Sequence, residues 1–179
     1  MDASLQTHEA AGPNVHTLHL NERELDFELA NRLFFRLYQC ANILHKTGSK
    51  ALEAEGLTTQ RWAVMGALSR PEAGAGMAVG ELARYLRVSR QSLAGVIGPL
   101  VDDWLVVSRR SDTDRRSRHY ALTEHGRRHW RERALPRIER FYGDATAGMS
   151  VEDLSHALHY LVRLLENMSR LDDRADQAG

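Results

Sequence analysis

Cysteine, lysine and long apolar runs are scarce in this chain of 179 residues. Its single cysteine, Cys40, excludes an internal disulfide framework. No apolar run approaches the roughly 20 residues that a membrane-spanning helix needs. The first residues lack both a basic start and an apolar core, so we do not expect a secretory signal. With 42% apolar and 27% charged residues, the composition is typical of a globular protein, and we expect it in the cytoplasm.

Common catalytic and metal-binding motifs are also missing. The chain has no G-x-S-x-G, no P-loop and no glycine-rich dinucleotide fingerprint, so we expect neither an enzyme nor a cofactor. His125 and His129 share a helical spacing, as do His156 and His159. Two histidines do not by themselves complete the tetrahedral set of ligands that zinc needs, and no metal site is predicted.

Arginine is what the chain has in excess, and it is unevenly placed. The whole sequence has a formal net charge of zero. The segment from Arg84 to Arg140 nevertheless contains 14 arginines, no lysine and 7 acidic residues, a formal charge of +7. A basic segment in a neutral chain is the electrostatic footprint expected for phosphate binding.

The start of this basic segment predicts a helix-turn-helix. Two apolar series at helical spacing are separated by Val88 and Ser89; they consist of Leu82, Ala83 and Leu86, then Leu93, Val96, Ile97 and Leu100. Ser89 can cap the second helix. That leaves Arg90, Gln91 and Ser92 in the exposed first turn, where a recognition helix meets base edges and phosphates.

A basic β-hairpin is predicted next. The alternating runs V-V-S-R-R and R-H-Y-A-L flank the segment S-D-T-D-R-R-S. Its candidate DNA contacts, to backbone or minor groove, are Arg109, Arg115, Arg116 and Arg118. Arg116 has an alternative role as the partner of Asp114 within the hairpin. A helix-turn-helix followed by a basic hairpin is a winged helix; a buried helix pair with an ordinary surface hairpin is the alternative.

The run D-R-R-S-R-H-Y-A-L-T-E-H-G resembles the wing signature of the MarR family, with matches at Asp114, Arg116, Leu122, Thr123 and Gly126. Upstream, L-T-T-Q-R-W-A-V-M-G-A-L is similar to the second helix of that family. The resemblance covers approximately residues 25–171. It implies a dimeric winged-helix regulator of transcription whose DNA affinity responds to a small ligand.

Two residues depart from the family pattern beside the recognition helix. Pro99 stands where the family commonly has arginine, and its missing N–H predicts a bend in the second half of the helix. Trp104 replaces the glycine that usually precedes the wing. We therefore expect either that the chain avoids a positive φ there or that the indole is buried under the wing. The wing tip also lacks the proline that is frequent in the family.

The expected architecture is mainly α with a small β-hairpin wing: a winged helix-turn-helix with a helical dimerisation region. Residues 1–22 form a flexible arm, 23–56 and 123–172 the dimerisation helices, 57–122 the DNA-binding region and 173–179 a polar tail. A kink or a local break is expected at Pro136. A coiled-coil-like seam follows at Leu154, Leu158, Leu161, Leu165 and Met168. Further apolar stripes lie in the first helix and in the helix after the wing, the latter at Trp130, Ala134, Ile138, Phe141 and Ala145. Together the stripes favour a homodimer on near-palindromic double-stranded DNA over an intramolecular three-helix bundle.

The resemblance also implies an effector bound between the dimerisation helices and the winged helix. An aromatic acid needs a cation and a flat apolar wall; the candidates are Arg36, Tyr38, His45, Arg61 and Trp62. The alternative is that the two arginines pair with surface acids and Trp62 belongs to the core. We expect a repressor released from DNA by a small aromatic carboxylate or its coenzyme A thioester. Redox sensing through Cys40 and a protein-interaction adaptor that does not bind DNA are the alternatives.

Overall fold

A computed structural model describes residues 22–110 and 118–178. Within these residues the helices are α1 (Glu22–Ala51), α2 (Thr59–Leu68), α3 (Val79–Leu86), α4 (Arg90–Asp102), α5 (Glu124–His129), α6 (Leu135–Ala145) and α7 (Val151–Ala178). The strands are β1 (Met77–Ala78), β2 (Val106–Arg110) and β3 (Arg118–Leu122). The prediction of a mainly α fold with a small β-hairpin wing is confirmed.

The chain divides into two compact units, residues 1–42 and 43–179. The described part of the first unit is the N-terminal portion of α1. Its surface carries large exposed apolar side chains together with an ion pair between Arg32 Nε and Glu28 Oε1 at 2.8 Å. The exposed apolar residues include Phe27, Leu29, Leu33, Phe34 and Phe35.

The second unit contains the hydrophobic core. A left-handed Gly56, with φ 68°, ends a short 3-10 turn, and the Thr58 hydroxyl then accepts the Arg61 N–H at 3.3 Å to begin α2. Apolar faces of α2, α3 and α4 meet beneath the sheet. The fully buried large side chains are Leu52, Met65, Leu82, Leu93, Leu100, Val64 and Val106.

The sheet has the strand order β1-β3-β2, and both pairs are antiparallel. Met77 lies opposite Tyr120, so the short strand β1 adds a third strand to the wing hairpin. β2 pairs along its full length with β3, from Val106 opposite Leu122 to Arg110 opposite Arg118. The hairpin is therefore held at its root by the core and extends away from it.

The end of α4 is locked to the start of α5 at what we call the wing junction: Trp104, Leu105, Thr123 and Gly126. The Leu105 N–H donates to Leu100 O and the Trp104 N–H to Val101 O, each at 3.0 Å, which is a Schellman ending. The Leu105 carbonyl then accepts the Thr123 N–H at 3.1 Å. The Thr123 hydroxyl donates to Trp104 O at 2.6 Å and accepts the Gly126 N–H at 2.8 Å.

Both expectations for Trp104 are wrong. Its φ is 57° and its side chain is 78% exposed. The Schellman hydrogen bonds require a left-handed residue at this position whether or not it is glycine, at a cost of about 1 kcal/mol for a residue with a Cβ. The indole then points away from the core because Leu105, the next residue, takes the buried position. α4 itself continues through Pro99 to Asp102.

The predicted break near Pro136 is confirmed. Residues Trp130–Ala134 form a π-helical segment between α5 and α6, and Pro136 lies in the first turn of α6. Pro136 has no N–H to donate, so the regular helical hydrogen bond to residue 132 is missing at this point. α7 begins with a reciprocal cap, in which the Ser150 N–H donates to Asp153 Oδ2 at 2.8 Å and the Asp153 N–H donates to Ser150 Oγ at 3.1 Å. The helix includes residues 173–178, which the sequence assigned to a polar tail.

An ion-pair cluster around the buried Glu55 joins the 3-10 turn before α2 to the π segment and α6, and its two arginines are exposed. The Glu55 side chain is only 2% exposed, and its two oxygens accept from Arg133 Nε at 3.1 Å and Arg137 Nε at 2.7 Å. Burial alone would raise the pKa of this carboxyl. The hydrogen bonds and attraction of Arg133 and Arg137 outweigh it and hold the pKa of Glu55 below its ordinary value.

Each described helix is too short or too polar to cross a lipid bilayer.

Gly126→Ala should strongly destabilise the second unit. A Cβ at position 126 would lie 1.9 Å from the Leu105 oxygen, which is backbone and held by the wing junction. We expect a loss of about 3 kcal/mol or more in the free energy of unfolding, measured by urea denaturation. Gly143→Ala on α6 is the control, since nothing lies within 4 Å of its added Cβ, and it should stabilise by roughly 0.5–1 kcal/mol. Equal effects of the two substitutions would contradict the close contact.

Glu55→Gln should lower the free energy of unfolding by about 1–3 kcal/mol at neutral pH, because two arginines lose their charged acceptor. The folded-state pKa is lowered, so this stability is fully present above the unfolded value of about 4.3. It is lost as pH falls through the folded pKa. The difference between wild type and variant should therefore shrink in acid. Denaturation at neutral and acidic pH, with the exposed Glu139→Gln as control, checks this; a pH-independent difference would refute it.

Candidate nucleic-acid interface

The turn between α3 and α4 is built by backbone hydrogen bonds and one side-chain cap. Arg87 takes a left-handed conformation, with φ 54°, and the Val88 N–H donates to Ala83 O at 3.0 Å. The Ser89 hydroxyl then accepts the Ser92 N–H at 3.0 Å and donates to the Ser92 hydroxyl at 2.8 Å. Ser89 and Ser92, both predicted as DNA contacts, thus use their side chains on each other and fix the first turn of α4.

Arg90 and Gln91 are exposed in that first turn. The opposite face of α4 is held in the core by Leu93, Ile97 and Leu100, so the exposed face has one orientation. The Arg90 guanidinium lies against the first turn of α3: its Nη2 would be 3.1 Å from a Cβ at Gly80. The absence of a side chain at Gly80 leaves room for Arg90 beside the helix that precedes the turn.

The predicted wing arginines do not share one face. Arg109 lies opposite His119, whereas Arg118 lies opposite Arg110. Side chains alternate along a strand, so Arg109 and Arg118 are on opposite faces of the hairpin. Both are exposed. Arg115 and Arg116 fall outside the described residues, and their roles stay predictions.

Arginines of this surface are free of internal acidic partners. In the part of the chain that the structure describes, Arg90, Arg109 and Arg118 have no carboxylate within ion-pair distance. Arg84 donates only to the Gly80 carbonyl of its own helix, at 3.3 Å. Among the described residues, the exposed turn of α4 and the wing strands therefore present arginines without a paired carboxylate, as phosphate binding requires.

The predicted ligand residues are divided between the two units. In the first, the Arg36 guanidinium donates to Gln39 Oε1 at 2.9 Å, and Tyr38 is 66% exposed. In the second, Arg61 donates to Gly56 O at 2.9 Å and lies 3.9 Å from the Asp103 carboxylate. For Arg61, the ion pair with Asp103 is the pairing with a surface acid that the sequence left open as an alternative.

Trp62 belongs to the core, as the same alternative stated, with 8% of its surface exposed. Its ring meets Phe141 edge-on at 5.8 Å and Tyr142 at 6.0 Å. We call Trp62, Phe141 and Tyr142 the aromatic wall. Burial raises the pKa of the Tyr142 hydroxyl. Phe141 lies on the apolar stripe read from the sequence, but nothing in the sequence singled out Tyr142.

His45, Cys40 and the histidine pairs have separate environments. His45 Nδ1 and Thr59 Oγ1 are 2.7 Å apart, a hydrogen bond that ties α1 to α2. Cys40 is exposed, with a free thiol. The rings of His125 and His129 are 6.3 Å apart. Within residues 22–110 and 118–178, no three His, Cys, Asp or Glu side chains are grouped as metal ligands.

Comparison with known proteins places this geometry in a family. A sequence model described as "MarR family" matches residues 55–117. A protein of Rhodopseudomonas palustris (strain ATCC BAA-98 / CGA009) named transcriptional activatory protein BadR is 56% identical over 155 residues, 87% of this chain and 89% of its own length.

Two solved structures show the same fold. CouR from Rhodococcus jostii RHA1, bound to p-coumaroyl-CoA, has a TM-score of 0.63 at 22% identity over 72% of this chain and 88% of that one. An S. aureus MepR–DNA complex has a TM-score of 0.66 at 14% identity, over 75% of this chain and 96% of that one. At 22% and 14% identity, these similarities show a shared fold only.

Replacing Arg90 and Arg118 should separate base reading from backbone contact. We expect Arg90→Ala to change the preferred DNA sequence, at about 1–3 kcal/mol per lost base contact. Arg118→Ala should weaken all sequences alike and reduce the slope of affinity against salt by about one unit. Binding-site selection and salt titration measure both, with the exposed Arg163→Ala on α7 as a charge-matched control. Identical selected sites for wild type and Arg90→Ala would refute the base-reading role.

Proposed function

The chain belongs to the MarR family of transcriptional regulators, and on that premise we propose that it acts as a homodimer on near-palindromic DNA and responds to a small aromatic acid. The observation that carries the proposal is the capped first turn of α4. It holds Arg90 and Gln91 exposed, and among the described residues no carboxylate pairs with Arg90; the hairpin of the same unit has arginine on both faces.

Dimerisation is supported by apolar side chains that each unit leaves exposed in the single chain. In the first unit Phe27 is 72% and Phe35 61% exposed. In the second, the predicted seam on α7 is uncovered: Leu158 is 63%, Leu161 48% and Leu165 44% exposed. Contiguous apolar surface of this kind marks an interaction site. A second copy presents the same stripes and can cover them with two-fold symmetry.

A two-fold dimer accounts for the form of the DNA site. Symmetry places the first turns of two α4 helices about 34 Å apart on one face of the duplex, one helical turn from each other. The half-sites then repeat in opposite orientation. A wing with arginine on both faces suits a groove, since Arg109 and Arg118 can reach phosphates on its two walls.

The proposed effector is an aromatic carboxylate or its coenzyme A thioester. Beside the buried Trp62, the ring of Tyr142 is 49% exposed and offers aromatic surface to such an effector. His45 and Arg61 supply polar groups in the same unit. Arg36 and Tyr38 remain candidates from the first unit. CouR, which shares this fold, is described as bound to p-coumaroyl-CoA, and we extend that ligand class to this chain.

The molecular event that we propose is release of DNA when the effector binds. Our expectation from the sequence is a repressor, whereas the relative that is 56% identical is named a transcriptional activatory protein. Release from DNA turns a gene on or off according to where the bound site lies relative to the promoter. A reporter gene carrying the selected site, measured with and without the acid, distinguishes repression from activation.

Sedimentation and salt titration test the DNA-binding part. We expect a dimer at micromolar concentration and an affinity for its selected duplex that falls steeply with salt, because many phosphate contacts release counterions. A monomer under these conditions would refute the proposed assembly. An affinity for DNA that is absent or independent of salt would favour the adaptor alternative.

Calorimetry tests the effector part. Benzoate, hydroxycinnamate and their coenzyme A thioesters are titrated into the protein with and without the duplex. An effector that weakens DNA binding tenfold must discriminate between the two states by about 1.4 kcal/mol, and DNA must weaken the acid by the same factor. Equal affinities with and without DNA would show a ligand that is no effector. If no acid binds, loss of DNA binding on peroxide treatment that Cys40→Ser prevents would favour redox sensing.

A further inference from the structure

We propose that a cavity on the side of α2 that faces the wing root is a binding site for a small free aromatic acid. The cavity has a volume of about 340 Å³ and is bounded by the end of α2 and its following turn, the end of β3, and α5 with the π segment. We call it the arginine cavity after Arg70, Arg127 and Arg131 in its lining. It does not include the aromatic wall or any residue that the sequence predicted for a ligand. This inference rests on the proposed function, whose effector class it shares.

Positive charge in the arginine cavity exceeds what the protein itself neutralises. Arg70 is paired with Glu72 at 3.3 Å and lies over the Tyr85 ring at 4.6 Å. Arg127 uses one N–H on the Leu122 carbonyl at 2.8 Å. Among the described residues, no carboxylate lies within ion-pair distance of Arg127 or Arg131. Two guanidinium groups thus keep donors for an anion, which a carboxylate satisfies with two parallel hydrogen bonds.

The remaining lining selects an acid with a flat apolar body. Trp130 borders the cavity, and its indole is seated on α2, where Cη2 would be 3.2 Å from a Cβ at Gly66. Leu68 and Leu122 supply buried apolar wall. A bare phosphate would leave this surface unused. The volume lies at the lower end of the range of ligand pockets, about 300–1,000 Å³, so the free acid fits and the much larger coenzyme A thioester does not.

The backbone at the cavity is itself irregular. Trp130 and Arg131 are the first residues of the π-helical segment. Such segments are rare and concentrate at functional sites, because the widened turn displaces side chains from the regular helical positions. The missing N–H of Pro136 explains why the helical hydrogen-bond ladder weakens here. The displaced residues, Trp130 and Arg131, border the cavity.

A ligand in the arginine cavity has a direct connection to the DNA-binding surface. Leu122 ends β3 and precedes Thr123 of the wing junction, and Arg127 holds the Leu122 carbonyl from α5. An acid bound to Arg127 and Arg131 therefore favours one placement of the wing root relative to α5. It changes DNA affinity by as much as it discriminates between placements.

The three tryptophans make the test site-specific. Trp62 reports on the aromatic wall, Trp130 on the arginine cavity, and the exposed Trp104 serves as an internal control. Indole N–H signals of the full-length protein are followed by ¹H–¹⁵N NMR during titration with benzoate, and each is assigned by its loss in a Trp→Phe variant. The Trp130 signal should shift and saturate. Benzamide, the neutral isostere, and benzoyl coenzyme A should not move it.

Arg131→Gln should weaken the Trp130 response at least tenfold, the usual effect of losing a hydrogen bond to a charged group. Arg128→Gln is the matched control: it removes the same charge three residues earlier, on an exposed residue outside the lining, and should leave the response unchanged. A shift of Trp62 alone would overturn the arginine cavity and support the effector site of the proposed function. No saturable shift in a protein that still binds its duplex would overturn both ligand sites and leave the DNA-binding proposal standing. Equal weakening of the Trp130 response by Arg131→Gln and Arg128→Gln would show that benzoate responds to net charge, and would overturn the proposed site.

Discussion

The carbonyl group of Leu105 is the point on which the DNA-binding half of the molecule depends. It accepts the Thr123 N–H at 3.1 Å, and Gly126 of α5 lies so close that a Cβ there would be 1.9 Å from it. Leu105 also closes the Schellman ending of α4. The end of the recognition helix, the root of the wing and the start of α5 therefore move as one body. A shift of α5 becomes a shift of the DNA-contacting surface, without a flexible joint in between.

The basic segment is less uniformly available to DNA than its formal charge of +7 indicates. Arg133 and Arg137 are committed to Glu55, which lies outside that segment in the sequence. Charge near the turn of α4 and on the wing has no such internal partner among the described residues. The fold thus divides one run of arginines into two uses, a structural cluster and a surface for phosphate.

Local features were predictable from the sequence because their causes are local. Thr58, Ser89, Thr123 and Ser150 all cap the helices that follow them, since a hydroxyl reaches a backbone N–H two or three residues ahead in any tertiary setting. The break at Pro136 has an equally local origin.

Features that depend on distant residues could not be predicted. The conformation of Trp104 depends on the buried position of Leu105 and on Thr123, which donates to the Trp104 and Leu105 carbonyls from far along the chain. The opposite faces of Arg109 and Arg118 follow from a strand register that no motif encodes. The arginine cavity gathers residues from separate segments, about 60 positions apart between Arg70 and Arg131, so its parts have no common signature. Of the aromatic wall, the sequence indicated Trp62 as a ligand candidate and Phe141 as part of an apolar stripe, but it gave no indication of Tyr142.

We propose that two copies of this chain place the first turns of two α4 helices on one face of a duplex. Hydroxyl-radical footprinting of the full-length protein on its selected DNA measures this most directly. We expect two protected patches with centres about 10–10.5 base pairs apart, related by the two-fold axis of the site. Protection of only one half-site, or of two patches on opposite faces of the duplex, would contradict it.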